Sequence, residues 1–309
     1  MGDLFLDSTL NYSDPAKTEK QYLREDNTWT SNTWSDQEVM TTRNFYNSLG
    51  KWSKLSKTIL PSSWQFQAMP WSEVAKLSDK CAGEDSEPYS PMLGYTKNIL
   101  VDGLGIVKAK LIGLNHDEFS DGSPAGFTFQ LTDGISWGSP VQFKMNENDD
   151  NIGGWASSDM RNKFLSEDSL LWKALQVEED NPTKYIKEVK KKSSTHNSGI
   201  EVSETNDKLW LLSLIESIGS EKTEDYPNNP IEDTNYLYYE GKQYEYYAKN
   251  GKSAHIIKDV FGYAEVSWTR SIDLDSLVYF YEIFATGDID IGDAITPHLP
   301  AAGFCISSK

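Results

Sequence analysis

Hydrophobic and polar positions divide the chain into two parts near residue 62. Residues 1–62 are rich in Ser, Thr, Asn and Asp, and their periodic apolar run, residues 36–49, predicts one weak helix. A segment this polar buries little surface by itself, so we expect it to fold against something else, such as a partner chain. From residue 63 onward the apolar pattern is typical of a globular domain, which we expect to span residues 63–309.

Within the predicted domain, helix and strand patterns fall in separate blocks. Apolar positions at helical spacing predict a helix over residues 71–83, with Ser72 as its cap. A second helix is predicted after residue 153, capped by Ser157 or Ser158. Because the strands do not alternate with helices, the predicted fold class is α+β with an antiparallel sheet. Short apolar runs between turn signals predict these strands over residues 99–101, 106–114, 127–131, 208–214, 264–271, 279–284 and 303–306.

Two further stretches of the domain carry unusual side chains. Residues 177–207 form a highly charged insert that includes Lys190, Lys191 and Lys192. We interpret it as a solvated strand and an exposed loop, and a basic binding patch is the alternative. Later in the chain, one helical face is predicted to carry four tyrosines, which we interpret as packing rather than as a ligand platform. These are Tyr236, Tyr239, Tyr244 and Tyr247.

Composition and charge exclude several classes of protein. The 309 residues are enough to bury a hydrophobic core, and 12% of them are aromatic. The net charge is -18, from 47 acidic and 29 basic residues, so we expect binding neither to nucleic acid nor to anionic lipid. No apolar run approaches the roughly 18–20 residues that span a bilayer, so we expect no membrane insertion. The start of the chain lacks a secretory-signal pattern, which predicts synthesis in the cytosol.

The sequence carries no complete motif for catalysis or cofactor binding. It has no phosphate-binding loop and no nucleophile elbow, its four histidines lack metal-binding spacing, and Cys81 and Cys305 are expected to be reduced, buried thiols. His116 and Asp117 could form a catalytic or metal-binding pair, but a loop tightened by Asn and Asp side chains is favoured. Residues 146–157 begin like a calcium loop but end on Ser rather than Glu. We therefore predict no cofactor and no metal site, and we do not expect an enzyme.

Residues 271–302, here called the window, have an unusual composition. They contain no Lys, Arg, Asn, Gln, Met or Trp, and they carry six acidic residues. Large apolar side chains next to carboxylates are typical of an adaptable binding surface. The alternative, which composition alone favours, is an ordinary β-hairpin whose apolar residues are core and whose acidic residues face water. The candidate ligand-binding residues are Asp273, Asp275, Ser276, Val278, Tyr279, Tyr281, Phe284, Asp288, Asp290, Asp293, Thr296 and His298.

Motifs in and around the window resemble a known class of proteins. Trp268-Thr-Arg-Ser before the window, Phe280 and Gly287 within it, and Gly303-Phe-Cys-Ile after it are similar to the C-terminal region of variable proteins diversified by retroelements. In that class, adenine-directed mutagenesis of Asn codons cannot produce Lys, Gln, Glu, Met or Trp. The window matches this rule except at Glu282, which the resemblance implies to be a fixed position or a later change.

The resemblance extends upstream and implies a C-type-lectin-like fold, preceded by a small N-terminal segment. In such a fold, Trp268 and Phe304 would belong to the framework while side chains of the window meet the ligand. The calcium-chelating tripeptides of sugar-binding C-type lectins, Glu-Pro-Asn and Trp-Asn-Asp, are missing from the sequence, so calcium-dependent sugar binding is not expected. Residues 21–29 resemble a segment common in phage tail fibres, usually with Gly where Asn27 stands. Segments that resemble the body of an uncharacterised bacterial and phage domain family are residues 111–117, 121–129, 153–161, 210–213 and 244–247.

The function that this resemblance implies is that of a phage receptor-binding protein, a tail-fibre adhesin with a diversified ligand-binding surface. Its partners would be a host cell-surface receptor, protein or glycan, and virion proteins that bind residues 1–62, and the chain would be a homotrimer. It would be located in the virion, after assembly in the host cytoplasm. The alternative is a bacterial cell-surface or secreted binding module of the same fold. An enzyme similar to the sulfatase-activating oxidases is a third hypothesis, but it needs reactive cysteines, and Cys81 and Cys305 lie far apart in the sequence.

Overall fold

The structure is a computed structural model that describes residues 20–23, 29–32, 60–82, 85–102, 105–132, 143–197, 199–231, 236–259 and 262–309. The chain divides into two units, Met1–Met69 and Pro70–Lys309. In the first unit, strand β1 (Lys20–Leu23) pairs antiparallel with β2 (Trp29–Asn32), and helix α1 spans Ser63–Ala68. The helix predicted over residues 36–49 lies outside the described residues.

The second unit contains both helices and strands. Its described helices are α2 (Trp71–Ala82), α3 (Gly154–Ser157), α4 (Leu170–Ala174), α5 (Leu214–Ile218) and α6 (Glu245–Asn250). Shorter turns are the 3-10 helices Glu87–Met92, Pro182–Lys184, Tyr236–Glu240 and Lys252–His255 and the π-helical turn Met160–Phe164. Its described strands are β3 (Thr96–Val101), β4 (Gly105–Leu114), β5 (Phe127–Leu131), β6 (Ile186–Lys187), β7 (Val189–His196), β8 (Ile200–Asp207), β9 (Trp210–Leu211), β10 (Ile257–Lys258), β11 (Ala264–Glu265), β12 (Ser267–Ile272), β13 (Tyr279–Ile283), β14 (Ile289–Asp293) and β15 (Ala302–Ile306).

The main sheet of the second unit is antiparallel and curled into a half-barrel, which confirms the predicted α+β class. Its strands follow the order β3-β4-β5-β15-β6, and β9 also pairs with β15. Phe304 on β15 lies opposite Phe129 on β5, and the two rings stack with centroids 5.4 Å apart. Trp71 of α2 contacts both rings, at 5.7 Å from Phe129 and 6.1 Å from Phe304, so the core lies between α2 and this sheet. Cys81 and Cys305 are free thiols buried here, as expected.

Helix α2 confirms the helix predicted over residues 71–83, but its predicted cap is wrong. Ser72 lies inside the helix, and the Trp71 amide at its start donates to Asp180 Oδ2 at 2.6 Å. A carboxylate at this end also interacts favourably with the helix dipole. The Ser78 hydroxyl donates to the Ile306 carbonyl and accepts from the Phe127 amide, both at 2.9 Å, so α2 is fixed to β15 and β5.

The tyrosines predicted to share one helical face lie in two separate elements. Tyr236–Glu240 is a 3-10 turn and α6 follows it, because Gly241 between them has φ +148° and breaks the helix. Tyr244 and Tyr247 are buried, as a packing role requires, whereas Tyr236 and Tyr239 are exposed. The single-face prediction is therefore wrong.

Two other local predictions need correction. The helix after residue 153 is short, and Gly153 with φ +77°, not Ser157, precedes it. Ser158 does accept from the Arg161 amide, at 3.2 Å, in the turn that follows. The charged insert contains the hairpin β7–β8, but Lys191 on β7 is only 2% exposed, so the interpretation of this run as a solvated strand is wrong at that position.

The remaining strands of the second unit form smaller sheets. Strands β12, β13 and β14 form a three-stranded antiparallel sheet, and β10 pairs with β11. Most of the window therefore lies in this three-stranded sheet and in the loops that flank it. None of the helices within the described ranges has the length and apolar character that crossing a membrane requires.

Candidate ligand-binding surface

Strands β13 and β14 form a hairpin, so residues 279–283 of the window lie directly beside residues 289–293. Tyr279 lies opposite Asp293, and Tyr281 lies opposite Ile291. Because side chains alternate between the two faces of a strand, these four share one face of the hairpin. The Ala294 amide donates to the Val278 carbonyl at 3.0 Å and continues the pairing toward the open end of the hairpin.

Large apolar side chains are exposed on and beside this face. Ile291 is 38% exposed, and Leu277 and Ile295, at the open end, are 56% and 39% exposed. Sequence reasoning did not single out these three residues, although its candidates include the aliphatic Val278 next to Leu277. In the sequence, each of the three adjoins a candidate, since Leu277 follows Ser276, Ile291 follows Asp290 and Ile295 precedes Thr296. A strand with one buried face also places aliphatic residues next to polar ones.

Two carboxylates before β13 lie close to the same face. The Asp273 amide donates to the Tyr279 carbonyl at 3.0 Å, and the Asp275 amide donates to Asp273 Oδ1 at 3.2 Å, so both residues adjoin the start of β13. Burial raises the pKa of Tyr281 to about 12, and the charges of Asp273, Asp275 and the buried Glu240 add to that shift. We call this group the hairpin surface. Its members are Asp273, Asp275, Leu277, Tyr279, Tyr281, Ile291, Asp293 and Ile295.

None of the twelve candidate residues is buried. Five are exposed, namely Asp275, Phe284, Asp288, Asp290 and Asp293. The others are half-buried, namely Asp273, Ser276, Val278, Tyr279, Tyr281, Thr296 and His298. The alternative of a plain hairpin with all of its apolar residues in the core therefore does not describe this part of the chain.

Several of the twelve lie away from the hairpin surface. Asp290 pairs with Glu282 in the register, so it belongs to the opposite face of the hairpin. Asp288, in the turn between β13 and β14, forms an ion pair with Lys252 and accepts a hydrogen bond from Thr286 at 2.6 Å. His298 Nε2 lies 2.8 Å from Glu282 Oε2. Asp288 and His298 are thus held by contacts within the protein, whereas Asp290 is exposed on the opposite face.

The opposite face of the hairpin is framework. Phe280 and Glu282 are 0% and 4% exposed, and Trp268 on β12 is 2% exposed with its ring 6.3 Å from that of Phe280. The Trp268 indole donates to the Phe143 carbonyl at 3.2 Å. Glu282, the acidic residue that departs from the diversification rule, is thus a buried position paired with His298.

Asn151 fixes the loop that leads into β13. Its buried side-chain amide donates to the carbonyls of Ser276 and Tyr279, at 2.9 and 2.8 Å, and its backbone amide donates to Leu277 at 2.7 Å. The sequence signal for this residue was the run of Asn and Asp that begins like a calcium loop. This run supplies the amide that holds one end of the hairpin surface.

Beneath β12, a buried charge network connects the window to the rest of the unit. Arg270 donates from Nη1 to Glu216 and to the Leu211 carbonyl, and from Nη2 to the Glu240 carbonyl at 2.8 Å. Lys191 donates to Glu216 Oε1 at 2.9 Å and forms an ion pair with Asp117. The network therefore joins β12, β7, α5 and the loop after β4, and stiffens the sheet that carries the hairpin.

The carboxyl groups of this network differ in pKa. Burial pushes the pKa values of Asp117 and Glu216 upward, but the charge of Lys191 on the first, and those of Arg270 and Lys191 on the second, outweigh it and hold both pKa values below their ordinary range. Burial raises the pKa of Glu240, and the nearby Arg270 only partly offsets it.

His116 and Asp117, which the sequence analysis considered as a catalytic or metal-binding pair but did not favour, lie at the edge of this network. Asp117 accepts from Thr128 at 2.5 Å and from the Tyr244 hydroxyl, in addition to its ion pair with Lys191. His116 stacks on Tyr244 with ring centroids 3.9 Å apart. Across the described ranges, no group of three or more His, Cys, Asp or Glu side chains is arranged to hold a metal ion.

No protein-family model, curated protein or solved structure matches this chain. The function is therefore argued from the geometry of the chain itself and from the motifs in its sequence.

Proposed function

We propose that this protein is a phage receptor-binding protein, a tail-fibre adhesin that binds a host cell-surface receptor through the hairpin surface. The observation that carries the proposal is the contrast between the two faces of β13 and β14 near the open end of the hairpin. One face has exposed Ile291 and Asp293, while the other buries Phe280 and Glu282 on Trp268. Toward the turn, Ile283 on the first face is buried, and Tyr281 packs against the same hydrophobic cluster. A binding surface needs this arrangement, because side chains that are free to change must stand on a frame that does not move.

The fold that we propose for residues 63–309 is C-type-lectin-like. Support comes from the antiparallel curled sheet and from the terminal strand β15, which lies between β5 and β6 in it. Further support comes from the resemblance of the window and its flanking motifs to retroelement-diversified variable proteins. Diversity at the hairpin surface would then change the receptor without changing the frame.

The assembly that we propose follows from the same resemblance. Residues 1–62 would bind virion proteins and hold three copies of the chain together, and the protein would be located in the virion after assembly in the host cytoplasm. Three copies would present three hairpin surfaces to one cell. Linked weak contacts of this kind give a much higher overall affinity than a single contact does.

Cell adsorption tests the proposal directly. Beads coated with the full chain are incubated with a panel of bacterial strains, and bound cells are counted for the wild type and for Tyr279→Ala. The matched control is Tyr263→Ala, since Tyr263 is 70% exposed and lies outside the window. We expect capture of at least one strain, a loss of roughly tenfold or more with Tyr279→Ala, as for an aromatic hot spot, and no loss with the control.

Two outcomes would contradict the proposal. One is capture of no strain in a panel that includes the natural host of the phage. The other is unchanged capture by Tyr279→Ala when its thermal unfolding midpoint equals that of the wild type. A drop in that midpoint would instead point to a folding defect, and Asp293→Ala, on the exposed side of the same pair, then replaces Tyr279→Ala in the adsorption test.

A further inference from the structure

The charge of the window is almost entirely of one sign. Its six acidic residues face no Lys or Arg within residues 271–302. Two of the six have partners, since Asp288 pairs with Lys252 and Glu282 pairs with His298. Among the residues that the structure describes, no ion pair is formed by the remaining four, Asp273, Asp275, Asp290 and Asp293.

Three of these four carboxylates belong to the hairpin surface. Asp275 and Asp293 are exposed, and Asp273 is half-buried. Asp293 lies opposite Tyr279 on one side, and on the other side the Asp273 amide donates to the Tyr279 carbonyl at 3.0 Å. The Asp275 amide donates to Asp273 Oδ1 at 3.2 Å. Negative charge is therefore present on both sides of the tyrosines, and any partner that covers the surface must compensate it.

The hairpin surface also has many hydrogen-bond acceptors and few donors. Its side-chain donors are two tyrosine hydroxyls, because the window lacks Lys, Arg, Asn, Gln and Trp. Three ionised carboxylates accept hydrogen bonds and donate none. A complementary partner is therefore rich in donors, as Lys and Arg side chains are.

The apolar part of the surface points to the same class of partner. Leu277, Ile291 and Ile295 expose aliphatic side-chain area, and burying this area is favourable only against another apolar surface. A phosphate-rich or carboxylate-rich glycan would meet like charge and aliphatic side chains, and both disfavour binding. A protein surface with basic residues around an apolar residue fits both features.

We propose that the receptor bound by the hairpin surface is a protein, recognised through Lys or Arg side chains that surround an apolar side chain. This inference rests on the proposed function, because it concerns the partner of the same surface. It assigns Asp275 and Asp293 to charge pairing with the receptor and Leu277, Ile291 and Ile295 to its apolar contact.

The test uses a strain captured by beads coated with the full chain. One sample of cells is treated with a broad-specificity protease, one with periodate, and one with reagents that acetylate lysine and modify arginine. The protein variant is Asp275→Asn with Asp293→Asn. The control is Asp102→Asn with Asp168→Asn, which removes the same charge from exposed positions outside the window.

We expect protease and the lysine and arginine reagents to abolish capture, and periodate to leave it intact. The window variant should lose tenfold or more in capture, and the control variant should lose none. Raising the salt from about 0.05 M to about 0.5 M should weaken the wild type more than the window variant, because salt screens charges at a surface.

Each opposite result overturns the inference. Loss of capture with periodate alone means that the receptor is a glycan, in which case the adhesin proposal stands and this inference fails. Unchanged capture by the window variant, or by cells with modified lysines and arginines, also excludes recognition through basic side chains. If Tyr279→Ala has no effect on capture, the proposed function itself fails, so the two failures are distinguishable.

Discussion

At the residue scale, two buried glutamates of the charge network have opposite roles. Glu216 accepts from both Lys191 and Arg270, whereas Glu240 accepts from the Ser194 amide and the Ser271 hydroxyl. The network contains two cations and three carboxyl groups. Burial raises the pKa of Glu240, whereas the cations lower the pKa values of Glu216 and Asp117, so Glu240 is the first of the three to take up a proton as pH falls.

Glutamine substitutions at these two positions should therefore differ in effect. Glu216→Gln leaves two buried cations short of a counter-charge, and we expect it to lower the free energy of unfolding by about 3–5 kcal/mol. Glu240→Gln keeps an amide oxygen for the Ser194 amide, and we expect a change of about 1 kcal/mol or less. Urea denaturation at pH 7 measures both, and equal losses would contradict this assignment of roles.

Residues of this network could not be identified from the sequence. Strand alternation in β7 turns Lys191 inward while Lys192 on the same strand is exposed, but three successive lysines show no period in the sequence. Its partners Asp117 and Glu216 lie 74 and 25 positions away. The acidic candidates of the window rest on a simpler signal, because an excess of acidic residues without basic ones is visible in the composition alone.

At the element scale, helix α2 and strand β5 approach each other too closely for any side chain at Gly126. A Cβ at this position would lie 1.8 Å from the Ser78 carbonyl oxygen, which belongs to the backbone of α2. Relief of that clash requires the helix to move off the sheet, and Ser78 would then lose its hydrogen bonds to Ile306 and Phe127.

We expect Gly126→Ala to destabilise the protein by about 3 kcal/mol, at the upper end of the cost of overpacking a core. The matched control is Gly199→Ala, because a Cβ there meets no atom within 4 Å. That control should change the free energy of unfolding by less than about 0.5 kcal/mol. Urea denaturation again provides the measurement, and a Gly126→Ala protein as stable as its control would show that α2 and β5 are not so tightly packed.

Elements with a strong local pattern were predictable, and those set by distant contacts were not. Helix α2 and strands β4, β5 and β13 follow from period and turn residues. The start of α2 depends on Asp180, a residue 109 positions away. The break between the 3-10 turn and α6 depends on Gly241, whose φ of +148° is compatible with glycine but has no periodic signal.

At the scale of the whole molecule, strand order was the feature that the sequence could not predict. Clustered strands indicated an antiparallel α+β fold, but β15, the last strand, pairs with β5, β6 and β9. Such pairing joins residues far apart in the sequence, such as Ile306 and Phe127. The Ser78 hydroxyl on α2 also donates to the Ile306 carbonyl, 228 positions away. The candidate surface depends on this closure, because β15 follows the window directly and fixes its end in the main sheet.

The response of the whole molecule to acid follows from the network. Asp117 and Glu216 have folded-state pKa values below their ordinary range, so they contribute stability that is fully present above about pH 4.5 and is lost as pH falls through the lowered values. The raised pKa of Glu240 has the opposite sign, because its contribution is present at low pH and is lost as pH rises through the folded value.

We therefore expect the free energy of unfolding to fall as pH decreases below about 4.5. Glu240→Gln should remove the gain in stability that Glu240 contributes as pH decreases from its raised folded pKa toward about 4.5. Urea denaturation across pH 3–8 measures both effects. Repulsion from the net charge of -18 acts in the opposite direction, since protonation of surface carboxylates relieves it. Repeating the series at about 0.5 M salt screens that repulsion, so a protein that gains stability on acidification under those conditions would show that Asp117 and Glu216 do not hold the fold together.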